Sequence, residues 1–292
     1  NKDGPVRTNR SVVARSLQVL DRKSGVKTDV GHALSSSHCP ACGAPESNLT
    51  SNACEFCGEV LNDGSYDWVL AEMISAVSGR DFRDYILAEI IEPLGLAGLR
   101  LGVPEAEQGN IAILEHVGEP PGAAEQEAFL GAAIEWPQER DDGWLIFNDP
   151  QVRALGIPGG GAVASAADMA LFYQGLLANP GELWDPAVLA DAVGRVWVDL
   201  PDPITSAPAH RGLGVVIAGS GRYLPYRGMG DKVSPRAFGH QGVGGQLAWG
   251  DPETGLSFCM VTNGIDANPL RSARLGAAAN NRAGACLEGG WG

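Results

Sequence analysis

Two cysteine pairs, Cys39-Pro40-Ala41-Cys42 and Cys54-Glu55-Phe56-Cys57, constrain this chain more than any other feature. Eleven residues separate them. Each C-x-x-C turn aims two thiolates at one ion, and the glycine after each pair, Gly43 and Gly58, lets the turn tighten. Four thiolates close a tetrahedral shell and leave no position for water. The spacing therefore predicts a structural Zn2+ held by Cys39, Cys42, Cys54 and Cys57, against the alternative of a chance or redox pairing. His38 adjoins the first ligand but meets a full shell. Of the other two cysteines, Cys259 sits in the apolar run Leu256–Val261 and reads as a small buried hydrophobe, while Cys286 lies in a Gly/Ala-rich tail. This is metal usage rather than a disulfide framework, and it favours a reducing, cytoplasmic setting.

The 292 residues suffice for one large domain or two ordinary ones. Apolar content of 44% and charged content of 19% describe a globular chain. No run of eighteen apolar residues is present, so no transmembrane segment is expected. The first residue is Asn, which suggests a processed chain or a fragment. The net charge of −14 is unevenly spread. Residues 1–38 hold seven Lys or Arg against three Asp, and the remainder fourteen against thirty-two acids. That asymmetry suggests two joined segments of different history. The acidic body argues against nucleic acid as the main partner, because phosphate contacts need Lys and Arg. The basic front reads as a solvated face or a contact for an anionic surface.

Periodicity places the elements coarsely. Trp68–Gly79 reads as a helix with Leu70, Met73, Ile74 and Val77 as its stripe and Gly79 as its C-cap. A second helix carries Phe82, Tyr85, Ile86 and Ile90 and is closed by Pro93. Residues 100–150 read as an irregular insertion with a short strand at Ile111–Leu114. A third helix starts near Ser165, which has capping-box spacing to Asp168, and buries Met169, Phe172, Tyr173, Leu176 and Leu177. Strands follow at Gly214–Ala218, Gln246–Gly250 and Leu256–Thr262, the last two joined by Asp251-Pro252-Glu253-Thr254-Gly255. Helices followed by antiparallel strands make an α+β pattern.

Two resemblances follow from particular words. Val26-Lys27-Thr28, His38–Pro45, Cys54–Gly58 and Gly64–Leu70 resemble the C-terminal end of bacterial proteins related to subunit 44 of the mitochondrial inner-membrane import translocase, over roughly residues 5–70. This implies at most a membrane-associated or protein-binding role. From about residue 70 three stretches resemble the serine β-lactamase-related group of class C β-lactamases, penicillin-binding proteins and esterases. They are Glu72–Phe82 with Ile91–Leu96, Ile157–Ala170, and Phe238–Gly245 with Ala248–Leu256. His240-Gln241-Gly242 corresponds to that family's H-x-G (or K-T-G) strand. The resemblance implies that His240 assists proton traffic or binds a substrate carboxylate, that Gly242 lets substrate approach, and that the N–H of Val243 forms half of an oxyanion hole. A glycine-rich hairpin with an incidental His is the plainer reading.

The family's nucleophile is the Ser of an S-x-x-K motif, and its second element is Y-x-N. The one S-x-x-K here is Ser24-Gly25-Val26-Lys27, and the residues after it do not make the apolar helix that would bury the lysine. Where Y-x-N should stand the chain reads Leu61-Asn62-Asp63, and a Leu moves no proton. The expected organisation is a basic, translocase-like segment at 1–37, a zinc ribbon at 38–69, a truncated β-lactamase-like serine hydrolase domain at 70–285 and a tail at 286–292. The expected function is a zinc-binding protein carrying a silent hydrolase domain, with a protein partner. The alternative is an active serine hydrolase cleaving an ester or amide through an acyl-enzyme, with Ser24 and Lys27 as nucleophile and base.

Overall fold

The computed structural model describes residues 65–130, 142–201, 207–221, 223–224 and 227–287. The basic front, Ser24 and Lys27, the four paired cysteines and Leu61-Asn62-Asp63 lie outside the described residues. Two compact units are present: one takes in the chain up to Phe82 together with Pro158–Gly160, the other Arg83–Ile157 and Gly161–Gly292.

The described part of the first unit is mainly helix α1, Ser65–Ser78. Asp67 in its first turn suits the positive end of the helix dipole. Gly79 ends it at φ +70, its N–H reaching Ser75 O at 2.9 Å, as a left-handed C-cap should. The buried positions are Val69 and Ala71, not the expected stripe: Leu70 is 57% and Val77 87% exposed. A run with apolar residues all round offers more than one stripe, and periodicity alone picks none of them. Trp68 and Phe82 meet edge to face at 6.1 Å.

Helix α2, Phe82–Ile86, widens into a π turn over Leu87–Ile91. Glu92 N–H bonds Leu87 O at 2.9 Å across five residues, and Leu96 N–H bonds Ile91 O at 3.0 Å likewise. Pro93 has no N–H to continue an α ladder, which is why the predicted single helix does not hold its form to Ile90.

The segment expected to be irregular contains more order than its composition suggested. Strand β1, Arg100–Leu101, is followed by a 3-10 turn at Glu105–Asn110 and strand β2 at Glu115–Val117. Helix α3 spans Ala123–Leu130, a 3-10 turn Asp142–Asn148, and helix α4 Pro150–Leu155. The strand sits one step past the expected Ile111–Leu114. Asp149 caps α4, accepting from Gln151 N–H at 2.7 Å, and Gly156 closes it at φ +59.

Strand β3, Ala162–Val163, pairs antiparallel with β1 and leads into helix α5, Ala166–Ala178. Ser165 caps α5 as its spacing predicts, accepting from Asp168 N–H at 3.1 Å. Helix α6 is Pro186–Gly194, capped by Asp185. The central sheet has the order β4-β5-β6-β7: Val216–Ile217, Phe238–Gln241, Leu247–Asp251 and Leu256–Met260, all antiparallel. Strand β8, Gly264–Asp266, runs parallel to β2, a pairing the antiparallel expectation missed. Helix α7, Pro269–Gly284, closes the fold.

The sheet is covered on both faces. Phe238, Ala248 and Ile217 pack under Met169, Phe172, Tyr173, Leu176 and Leu177 of α5. Ala237, Leu247 and Trp249 pack on the other face with Met229, Val233 and Ala283. The period of two along each strand produces this division. Trp249, 1% exposed, donates its indole N–H to Asn280 Oδ1 at 2.7 Å, and Asn280 in turn donates to Gly228 O at 3.0 Å. A tryptophan is thus buried without an orphaned donor. Cys259 is half-buried, and burial pushes its thiol up to about 11, so it is inert at neutral pH. Cys286 is exposed. No helix among the described residues is long and apolar enough to cross a membrane.

Candidate active site

The site is built on the second half of β5. Strand β4 pairs only with Phe238 and Gly239, while β6 runs on opposite His240 and Gln241. Beyond Gly239 one edge of β5 is therefore open. In an antiparallel ladder successive residues turn their main-chain groups to alternate neighbours. Ala237 O accepts from Ala218 N–H at 2.8 Å on the β4 side, and Gly242 N–H donates to Gln246 O at 2.8 Å on the β6 side. Alternation turns the N–H of Gln241 toward the side where β4 has ended, and Val243 opens the turn that follows the strand. No described residue accepts from Val243 N–H.

Glycine makes the strand approachable from within. A Cβ on Gly239 would meet Ala248 O at 2.2 Å, so only glycine lets β5 and β6 close at this point. Gly242 is less confined, with Gln246 side-chain atoms at 2.9 and 3.2 Å. Gly244 and Gly245 carry φ of +79 and +93, which other residues adopt only with strain.

His240 is exposed and points from the same face as Phe238. Its Nδ1 contacts Gln241 O, and its Nε2 lies 3.4 Å from Arg211 Nη1. A guanidinium only donates, so Nε2 accepts and the ring proton belongs on Nδ1, where the carbonyl receives it. Arg211 comes from a neighbouring ribbon: it bridges Val198 on one side and Val216 on the other. The row Val198, Arg211, Val216, Gly239, Trp249, Phe258 thus crosses the sheet in register. Nothing in a lone arginine twenty-nine residues upstream marks it as a neighbour of His240.

The floor of the loop after β5 is tied down by Gln246. Its Nε2 donates to Thr262 O at 2.5 Å, and its Oε1 accepts from Thr262 N–H at 2.7 Å. Hairpin arithmetic offered a signal for this contact: with Leu247 opposite Met260, Gln246 falls diagonal to Thr262. Behind the loop stands the β2–β8 ribbon, where Glu115 N–H meets Asn263 O at 2.9 Å and Asn263 Nδ2 meets Ile113 O at 2.8 Å. Gly118 leaves room for Arg271, which grips Asp266 at 2.6 and 2.8 Å; these bonds hold the Asp266 carboxyl below its usual value.

The geometry brings together His240, Gly242 and Val243 of the sequence-derived set and adds Arg211 and Gln246. Ser24, Lys27 and the four paired cysteines are outside the described residues. Among the described residues no group of three His, Cys, Asp or Glu could hold a metal. A cavity of about 410 Å³ lies elsewhere, lined by Leu87, Ile91, Leu96, Leu99 and Arg100 among others, and contains none of the site residues. The site offers an N–H donor with no partner among the described residues, an imidazole whose Nε2 faces Arg211, and a guanidinium; the donors suit a carbonyl oxygen that gains negative charge.

Comparison with known proteins gives a consistent result. Residues 62–281 match the Beta-lactamase family. The chain is 29% identical over 216 residues to an esterase/beta-lactamase, LipL, of Mycobacterium tuberculosis, covering 68% of this chain and 47% of that protein. It therefore spans about half the length of this curated relative. Among solved structures, a penicillin-binding protein homolog from Caulobacter crescentus superposes with a TM-score of 0.54 at 25% identity, over 81% of this chain and 60% of the other. EstA from Arthrobacter nitroguajacolicus superposes at 0.56 with 22% identity, over 76% and 59%. These similarities give the α+β, β-lactamase-like fold.

Proposed function

Since the chain belongs to the beta-lactamase family over residues 62–281, we propose that its described part is the substrate-facing half of a serine hydrolase site for esters or amides, and that this chain lacks the nucleophile in place and is catalytically silent. The observation that carries the reading is the one-sided pairing of β5, followed directly by a turn in which no described residue accepts from Val243 N–H. When a hydroxyl attacks an ester or amide carbonyl, the carbonyl oxygen takes the negative charge of the tetrahedral intermediate. A fixed N–H aimed at that oxygen stabilises it, and losing such a donor costs about 2.7–4 kcal/mol of barrier in serine hydrolases. His240 stands close to this donor in sequence, with Nδ1 on the Gln241 carbonyl and Nε2 toward Arg211.

The attacking hydroxyl is what the chain does not supply in a recognisable place. Leu61-Asn62-Asp63 stands where the Tyr base belongs, and Ser24-Gly25-Val26-Lys27 is the one S-x-x-K. The four cysteines ahead of the domain complete the reading as a structural Zn2+ site, on the strength of their spacing. Metal content of the purified chain tests that part: one zinc per chain is expected, and zinc retained after Cys39→Ser and Cys54→Ser together would refute it.

Intact-mass analysis after a broad fluorophosphonate probe tests the hydrolase reading. No adduct is expected. A single adduct that disappears in Ser24→Ala would overturn catalytic silence and establish an active hydrolase built around Ser24.

A further inference from the structure

The loop that carries Val243 is restrained from its far end. Gly244 and Gly245 stand next to Val243, and glycines leave a backbone free to point its N–H groups in many directions. Gln246 removes that freedom at three points. Its main-chain oxygen accepts from Gly242 N–H at 2.8 Å. Its side-chain amide donates to Thr262 O at 2.5 Å and accepts from Thr262 N–H at 2.7 Å. Thr262 is itself held, because its Oγ1 accepts from Gly264 N–H at 3.1 Å and Gly264 starts the strand that pairs with β2. A two-point amide clamp on one residue's main chain fixes both distance and orientation. The neighbouring packing is close as well: a Cβ on Gly244 would stand 3.4 Å from Ile265 Cγ1, and one on Gly245 3.1 Å from Ser272 Oγ.

We propose that Gln246 is a positioning residue that sets the direction of the Val243 N–H through its clamp on Thr262. Its place in the reaction rests on the reading of Val243 as the oxyanion donor. A donor that is already aimed costs no reorganisation when the charge develops, so the orientation matters more than the mere presence of the N–H. Only a side chain that both donates and accepts at this length makes the clamp. Glu in its place keeps the bond from Thr262 N–H but sets a carboxylate oxygen against Thr262 O.

The test is the residual dipolar coupling of the Val243 amide in the 15N-labelled full chain, for the wild type, Gln246→Ala and Gln246→Glu. The Trp249 indole signal reports the intact core, since that group donates to Asn280 far from the loop in sequence. In the wild type the coupling fits a vector leaving the open edge of β5. In both variants the Val243 coupling collapses toward its averaged value while the Trp249 signal stays. An unchanged Val243 coupling in both variants overturns the proposal, as does unfolding of both, which would make Gln246 a general support of the fold. A wild-type vector that points toward β6 sinks the oxyanion reading itself and is distinguishable from either.

Discussion

The two halves of strand β5 are built to opposite specifications. Phe238 and Gly239 are paired on both sides and buried, with Phe238 1% exposed. His240 and Gln241 are paired on one side, Gly242 and Val243 lead on into the turn, and all four are exposed, with Val243 at 47%. The first half stabilises the molecule, because apolar area and paired main chain are both withdrawn from water. The second half leaves main-chain donors unmet at a strand edge, which costs little where water reaches them and is useful where a substrate can replace the water. A structural element and a binding element adjoin within six residues. The short reach of β4 draws the line between them.

The sharpest way to break this contrast is to remove one side chain beside each half, Trp249 on β6 and Val243 just after β5. Trp249→Ala, opposite Gly239, empties a fully buried site and leaves Asn280 Oδ1 without its donor; about 3–5 kcal/mol of stability should go. Val243→Ala should change stability by no more than about 0.5 kcal/mol. Urea unfolding followed by near-UV signals measures both. Comparable losses would mean that the loop belongs to the core and that the division is misplaced.

A second, smaller effect concerns how the closed half is anchored. Asp251 ends β6 and is 1% exposed. Burial alone would raise its pKa, but the Ser234 hydroxyl at 2.6 Å, Ser234 N–H at 2.8 Å and Glu253 N–H at 3.0 Å outweigh it and bring the carboxyl below its ordinary value. A carboxyl lowered in the folded state adds stability above its unfolded pKa, and that stability is lost as pH falls through the folded pKa. Asp251→Asn should therefore cost about 1.5–3 kcal/mol at neutral pH. The gap to wild type should close as pH falls below the usual carboxylate range of about 4. A gap that stays constant well below that range would show that shape, not charge, makes the contribution.

Much of this was legible in the residues. The α5 stripe and the Ser165 cap were readable because both follow from local rules, a period near 3.6 and a side chain reaching its own helix. The β6–β7 hairpin was readable from alternation around Asp251–Gly255. The parallel β2–β8 pair was not, because it joins segments about 150 residues apart and neither strand exceeds three residues. Helices α6 and α7 went unread despite proline and Asx starts; α6 is short and α7 has few large apolar side chains to mark a stripe, since its buried positions include Asn280, Ala283 and Gly284. The site divided the same way. His240, Gly242 and Val243 stood in one word of sequence, whereas Arg211 and Gln246 acquire meaning only from cross-strand register.

The finest prediction separates two glycines, Gly239 within β5 and Gly242 just after it. Gly239→Ala puts a methyl 2.2 Å from Ala248 O and 2.7 Å from Trp249 Cα, both on a paired strand that cannot yield, so about 1–3 kcal/mol is expected from overpacking. Gly242→Ala meets only the Cβ and Cγ of Gln246, at 2.9 and 3.2 Å. The Cβ moves only with a small shift of the Gln246 backbone, which sits in a loop and not in a paired strand, and the stability change should stay below about 1 kcal/mol. It moves, however, at the expense of the clamp on Thr262. Gly242→Ala should therefore leave the unfolding midpoint nearly unchanged yet disturb the Val243 amide as Gln246→Ala does, while Gly239→Ala does the reverse. Stability and amide direction that respond together in both variants would show that the two halves of β5 act as one unit.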